Sequence, residues 1–596
     1  MHLRHLCRPW TALLLTACGA SAPTPAPAPA GDEARRLDSL ADDYFAALVQ
    51  TFPSFGLFSG IPDAPLDRLD PNALADVNRW RAREDRWLAA VRDIPGESLR
   101  GRPQEVTYGV LREALEAARQ ARVCHTELLP LDQQNGWQIT LPLIAQLQPL
   151  GTPALRTAAL ARWRAIPVYL DNEITNLREG IREGYVQPRG NAQAVLEQVD
   201  DILRVPTDTS PLSGLAARDS APGFRDSVTA IVERQVVPAV RRYREFLASE
   251  YILHARASTA LSALPHGTEC YRARVRASTT LDVDPKDLFR LGGQQIEAIQ
   301  AEMRPMALRL FQTDDLPALF SRLRGDSTLM FHGRDQMIRA AEAAVNRAKA
   351  AMPRWFGRLP RSDVIVDPCQ PFEEKSGCPN SYVSGTADGS RPGRWRINAG
   401  VDPPQLMLPL EGTAFHETIP GHHLQGTLAQ EREGAHPLTR YLFFSGFGEG
   451  WALYAERLAD TMGLYSSDRY RFGELGEQAL RAARLVVDPG LAVFGWSRQQ
   501  AIDYMLNHVM YDRQTIESEV DRYIANPGQA TSYMVGRLEI ERLRREAETR
   551  LGRAFDIRQF HDRVLESGNV PLPVLRAHVE AWLDDAAKQP PGGEGR

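Results

Sequence analysis

FHETIPGHHLQ, residues 415–425, decides how this chain reads. It places Glu417 directly after His416 and sets two more histidines, His422 and His423, a few positions on. Neutral imidazole is a common zinc ligand, and a glutamate beside the first ligand can polarise a metal-bound water, which is the logic of the H-E-x-x-H motif. The first two letters of that motif are present, but Pro420 stands where its second histidine belongs. On an ideal helix a residue seven positions on has turned through roughly 700°, about 20° short of two turns, so His416 and His423 share a face and His422 falls about 120° away. Helical phase therefore favours His423 as second ligand, with His422 as the alternate. The axial gap between His416 and His423 would be roughly 10 Å on a straight helix, too long for one ion. Pro420 and Gly421 supply a break that could draw two histidines together.

A third ligand is expected from GFGEGWALYAERL at 446–458. Glu449 and Glu456 are seven apart there and would share one helical face. Glu449, 26 residues beyond His423, suits the third position and leaves a fourth open for water. Glu456 is then placed to orient a ligand imidazole from behind. The expected cofactor is one Zn2+ per chain, with Glu417 as general base.

HETIPGHHLQ, GEGWALYAERL, VVDPGLAVFGWSRQQAIDYML, ESEVDRYIANPGQATSYMVG and FDIRQFHDRVLESGNVPLPVL follow one another in this order. Together they resemble the successive motifs of the bacterial family catalogued as domain of unknown function 885, over a span from about Leu37 to about Trp582. The resemblance extends to the glutamate-zinc peptidases of the neurolysin and thermostable-carboxypeptidase type, whose third ligand is a glutamate on the following helix. It implies a mainly α, large helical metallopeptidase fold with a deep cleft and a small β-sheet beside the zinc helix, acting as a carboxypeptidase or oligopeptidase. It names no substrate. One departure stands out: many relatives carry histidine after DTGL, whereas here DPGL is followed by Ala492.

Peptide hydrolysis needs a donor for the oxyanion that forms when water attacks. Gln529, Tyr533 and Arg537 fall four apart on one face of an expected helix. Tyr533 is the candidate donor and Arg537 a candidate fork for a substrate carboxylate. His508, Tyr523 and Tyr382 are further candidates for contact with substrate. DVIVD at 363–367 alternates like a strand, and 381–398 reads as a strand, a turn through Asp388-Gly389 and a returning strand. An edge strand beside a zinc helix can pair with a peptide backbone.

Arg4 and Arg8 precede an apolar stretch ending in Leu15-Thr16-Ala17-Cys18, a bacterial lipobox pattern. Residues 1–17 read as a lipoprotein signal peptide, Cys18 as the lipidated residue, 18–34 as a Pro/Ala-rich tether and 35–590 as a single helical domain. Gly19 after the cysteine points to the outer membrane, facing the periplasm. The lipid would be the only membrane attachment, since no later run is long and apolar enough to span. Cys124, Cys270, Cys369 and Cys378 are an even set that suits two disulfides in an oxidising compartment. Cys369 with Cys378 would close a short loop, leaving Cys124 with Cys270.

With 596 residues, 43% hydrophobic and 24% charged, the chain can bury one large or two fused cores. A net charge of −5 without a basic patch excludes a nucleic-acid partner. Apolar residues recur at three and four through most of the remainder, and 210–224 reads as a hinge or a subdomain boundary, though not as a split into independent domains. The function expected is hydrolysis of peptide bonds by a lipid-anchored zinc enzyme. The alternatives are a metal-dependent hydrolase of a small ester or amide, and a catalytically silent envelope protein that binds peptides. Oligomeric state is left open by the sequence.

Overall fold

The computed structural model describes residues 30–369, 380–386, 388–389, 391–401 and 404–588. Cys18 and Cys378, and with Cys378 the shorter of the two expected disulfides, lie outside the described residues.

The fold is mainly α, as the periodicity predicts, with one small sheet. The stretch 152–184 shows how local chemistry cuts an apolar pattern into helices. Thr152 caps Pro153–Arg164 by accepting from the Leu155 N–H, and Pro167 sits at the start of Ile166–Glu183, where its missing N–H costs nothing. Gly184 ends that helix at φ +81°, a left-handed conformation that favours glycine. Ser497 and Gln500 likewise form a capping box on Arg498–His508.

Helices of 131–255 enclose a hydrophobic core of their own, with Trp163, Leu170, Val195, Val199 and Val240 fully buried. The larger core gathers apolar residues from both sides of that segment. Residues 210–224 are no hinge. Leu212, Leu215 and Phe224 are buried in the smaller core, and the Trp163 indole donates to the Leu212 carbonyl at 2.8 Å. A disulfide between Cys124 and Cys270 ties the two ends of the segment together. The tether is shorter than its composition suggests, because a helix begins at Ala30 and runs to Thr51, with Leu37 and Ala41 fully buried.

The functional end is built from six helices and the sheet. Helix α1 (Pro285–Phe311) is capped by Asp284, whose side chain accepts from the Lys286 N–H. Strands β1 (Val364–Pro368), β2 (Ser381–Val383) and β3 (Gly393–Ile397) lie in the order β1-β3-β2. Parallel pairing sets Val366 opposite Trp395, and antiparallel pairing sets Tyr382 opposite Trp395, so β2 is an edge. Helices α2 (Leu410–Glu417), α3 (His422–Gln430), α4 (Ser445–Thr461), α5 (Asp468–Ala492) and α6 (Ser532–Leu551) follow. Every residue of α5 from Phe472 to Ala492 is buried, which makes it the central pillar, and α1 packs along it. Helices α4 and α6 cross at Gly446, Gly450 and Gly536 with their backbones in contact. A Cβ at Gly536 would fall 1.7 Å from the Gly446 carbonyl oxygen.

Candidate metal centre

The helix carrying His416 stops at Glu417, and a new one starts at His422. Between them run Thr418, Ile419, a cis peptide into Pro420, and Gly421. Gly421 folds back onto the end of α2 so closely that a Cβ there would lie 1.9 Å from the His416 carbonyl oxygen. The Trp451 indole, from α4, donates to the Pro420 carbonyl at 2.9 Å and pins the turn.

This break corrects the choice of second histidine. Phase counted along one continuous helix does not survive it, and His422 rather than His423 comes beside His416, with ring centroids 4.9 Å apart and planes perpendicular. His423 turns to the opposite side. Its Nε2–H donates to the Ser362 carbonyl, just ahead of β1, at 3.0 Å and its Nδ1 accepts from the Tyr382 hydroxyl at 3.0 Å, so both ring nitrogens are engaged away from His416. Burial lowers its pKa to about 4, which keeps it neutral.

Glu449 completes the group. Its Oε2 lies 3.6 Å from His416 Nε2 and 3.4 Å from His422 Nε2, and the three ligand atoms are all within 4.8 Å of one another. Two atoms each about 2.1 Å from a tetrahedral metal lie about 3.4 Å apart, so this donor set fits zinc. On the far side of the ring, His416 Nδ1–H donates to Glu456 Oε1 at 2.7 Å, which turns Nε2 toward the group. Glu456 is itself held by Gln478 Nε2 at 3.2 Å, and Gln478 accepts from Arg537.

The electrostatics favour a cation at this point. Burial pulls the His416 imidazole down, but the carboxylates of Glu449 and Glu456 outweigh it and raise the pKa to about 10. Burial pushes the Glu449 carboxyl up, yet hydrogen bonds to His416 and His422 hold it far below the usual range. Glu417, one position from His416, is raised chiefly by burial, and its carboxylate faces the backbone N–H of Tyr382 on β2.

These groups open on a cavity of about 540 Å3. His416, Glu417, His422 and Glu449 line it together with Tyr382 from the edge strand, Tyr533 from α6, and Arg481 and Arg484 from α5. Tyr533 is near enough to Glu449 for that carboxylate to add to the upward push that burial gives its phenol. Arg537 lies one turn farther along α6, where Gln478 and Glu541 take its guanidinium, and it does not line the cavity. Tyr523 lies behind the wall, donating to Glu519 at 2.6 Å. His508 is spent on the Tyr504 carbonyl and stacks on the Tyr504 ring. Ala492 is buried at the end of α5 and is not among the lining residues.

Among the lining residues that escape sequence reasoning are Gln425, Arg440, Arg481 and Arg484. The signal for Arg481 and Arg484 is a polar stripe. Glu474, Glu477, Gln478, Arg481, Arg484 and Asp488 recur at three and four along a stretch, Phe472 to Ala492, otherwise made of small and apolar residues, and all six are buried. Such a stripe on a buried helix faces partners or a cavity, not solvent.

Residues 53–579 match the family model described as "Bacterial protein of unknown function (DUF885)". The chain belongs to that family. No curated protein matches it. Among solved structures it is similar to the "putative lipoprotein" from Colwellia psychrerythraea, at 24% identity and a TM-score of 0.84, covering 93% of this chain and 99% of that one. A "putative lipoprotein of unknown function" from Shewanella oneidensis is also similar, at 17% identity and a TM-score of 0.73, covering 91% and 99%. At those identities the likeness is one of fold.

Proposed function

We propose that this DUF885 protein is a zinc-dependent peptidase akin to the glutamate-zinc peptidases, with His416, His422 and Glu449 as the metal ligands. The observation that carries the reading is the meeting of two histidines and a glutamate at ligand spacing on a cavity wall, with the Glu417 carboxylate next to them. Zinc at this position would acidify a water and polarise a carbonyl. Glu417 accepts the proton from the attacking water and returns it to the leaving amine, a task suited by a carboxyl whose pKa burial has raised. The Tyr533 hydroxyl donates to the oxygen of the attacked carbonyl. Strand β2, an edge with Tyr382 on the cavity, offers backbone groups for pairing with an extended peptide. Gln425 Nε2, buried on the same wall and without a partner among the described residues, adds a donor for a peptide carbonyl.

The lipobox at Cys18, together with two structural neighbours described as lipoproteins, supports a place at the cell envelope on a lipid anchor. No helix among the described residues is long and apolar enough to cross a membrane. The disulfide between Cys124 and Cys270 suits an oxidising compartment.

The test is a panel of short peptides against esters and small amides, run with the zinc-loaded full chain. Peptide cleavage that falls by about 100-fold or more in Glu417→Gln, with zinc content unchanged, is the expected result. Cleavage of esters alone would move the assignment to another hydrolase class, and an undiminished Glu417→Gln would remove the base.

A further inference from the structure

Arg481 and Arg484 share the α5 wall of the cavity, and each is left with a donor unused. Arg484 is 6% exposed. Its Nε donates to the Tyr523 hydroxyl at 3.1 Å and one Nη donates to Glu519 at 2.8 Å, while Nη1 has no partner among the described residues. Arg481 is 8% exposed, pairs with Glu477 and lies 3.5 Å from Glu456, and its Nε is likewise without a partner. A buried charged donor without an acceptor is costly, more so than a neutral one. Two of them on one cavity wall describe the complement of an anion.

Charge favours an anion: three guanidinium groups, those of Arg440, Arg481 and Arg484, line the cavity against the two carboxylates of Glu417 and Glu449, and Arg440 Nε is likewise without a partner among the described residues. Position sets its source. The Arg484 guanidinium stacks 4.5 Å from the Tyr533 ring centroid, and Tyr533 borders Glu449, so the anion would sit beside the reacting groups. Asn380, at the start of β2, lines both this cavity and a second one of about 850 Å3, so the rest of a peptide has room along the edge strand.

We propose that Arg484, with Arg481, holds the free C-terminal carboxylate of the substrate, so that the site removes residues from the C-terminal end of short peptides. The proposal rests on the peptidase reading above for its chemistry, but the carboxylate site stands or falls separately.

The experiment is calorimetric binding to the full chain, with and without a chelator. Three probes are compared: benzoylglycyl-phenylalanine, its C-terminal amide, and benzoylglycyl-aspartic acid amide, which carries its carboxylate on the side chain. The free acid is expected to bind at least about tenfold tighter than either amide, with chelator present, so that coordination to metal is not the cause. Arg484→Met keeps most of the side-chain volume and should bring the ratio close to one. If that variant does not fold, the ratios in the unaltered chain decide. Equal binding of acid and amide, or no binding of any probe, overturns the proposal. Aspartyl amide binding as tightly as the free acid overturns the assignment to a terminal carboxylate. Selective binding of the acid without any turnover leaves this site in place and removes the peptidase reading.

Discussion

His416 is the residue on which the centre turns, because each of its ring nitrogens has one task. Nδ1–H is held by Glu456, and that fixes Nε2 toward Glu449 and His422. Such a carboxylate behind a ligand imidazole fixes its tautomer and angle, and losing it typically costs 10–100-fold in metal affinity. Glu456→Gln should therefore weaken zinc binding by about that factor, measured by chelator competition, while leaving the three ligands intact. Affinity unchanged within error would show that Glu456 serves packing alone. At this scale the sequence is informative where residues lie on one element. Glu449 and Glu456 are seven apart on an unbroken helix, and both reach His416. It misleads for His422 and His423, because the turn at 418–421 resets the phase. That turn is set by contacts with Trp451 and with the end of α2, which no count along the motif contains.

At the scale of elements, the site depends on how closely α4 and α6 approach, since they carry Glu449 and Tyr533. The crossing has no room for a methyl group. A Cβ at Gly536 would stand 1.7 Å from Gly446 O and 2.8 Å from Gly450 Cα. Gly536→Ala should force the helices apart and destabilise the fold by about 1–3 kcal/mol or more, read as a lowered midpoint in urea unfolding. A midpoint equal to that of the unaltered chain would mean the crossing can relax. The strands show a similar division between legible and hidden. Alternation in DVIVD and the Asp388-Gly389 turn mark the segments, and the observed strands fall on them. That β1 pairs with β3, leaving β2 as the edge over Glu417, depends on a crossover that local pattern does not encode.

Over the whole molecule the charged groups buried in the two cores give stability a pH dependence. Glu173, in the smaller core, is 4% exposed, and burial raises its pKa from 4.5 to about 8. A carboxyl raised on folding contributes stability that is full below about pH 4.5 and is lost as pH rises through 8. Glu173→Gln, which cannot ionise, should therefore flatten the fall in unfolding free energy between pH 5 and 8.5 in urea titrations. Glu113 and Glu474, raised to about 7 and about 8, carry the same sign, so the slope should shrink and not vanish. An unaltered slope would mean Glu173 finds a compensating partner. The existence of two cores is scarcely legible beforehand. Helical periodicity looks the same on either side of 131 and 255, and the segment 210–224, whose composition suggests a hinge, supplies Leu212, Leu215 and Phe224 to the smaller interior.

The central claim is that His422, not His423, joins His416 and Glu449 in holding a metal. Elemental mass spectrometry tests it on the purified full chain after equilibration with zinc and gel filtration, alongside His416→Ala, His422→Ala and His423→Ala. The account predicts about one zinc per chain in the unaltered protein and in His423→Ala, and loss of that zinc in His416→Ala and His422→Ala. Zinc absent from the unaltered protein, or lost with His423→Ala and kept by His422→Ala, would contradict it.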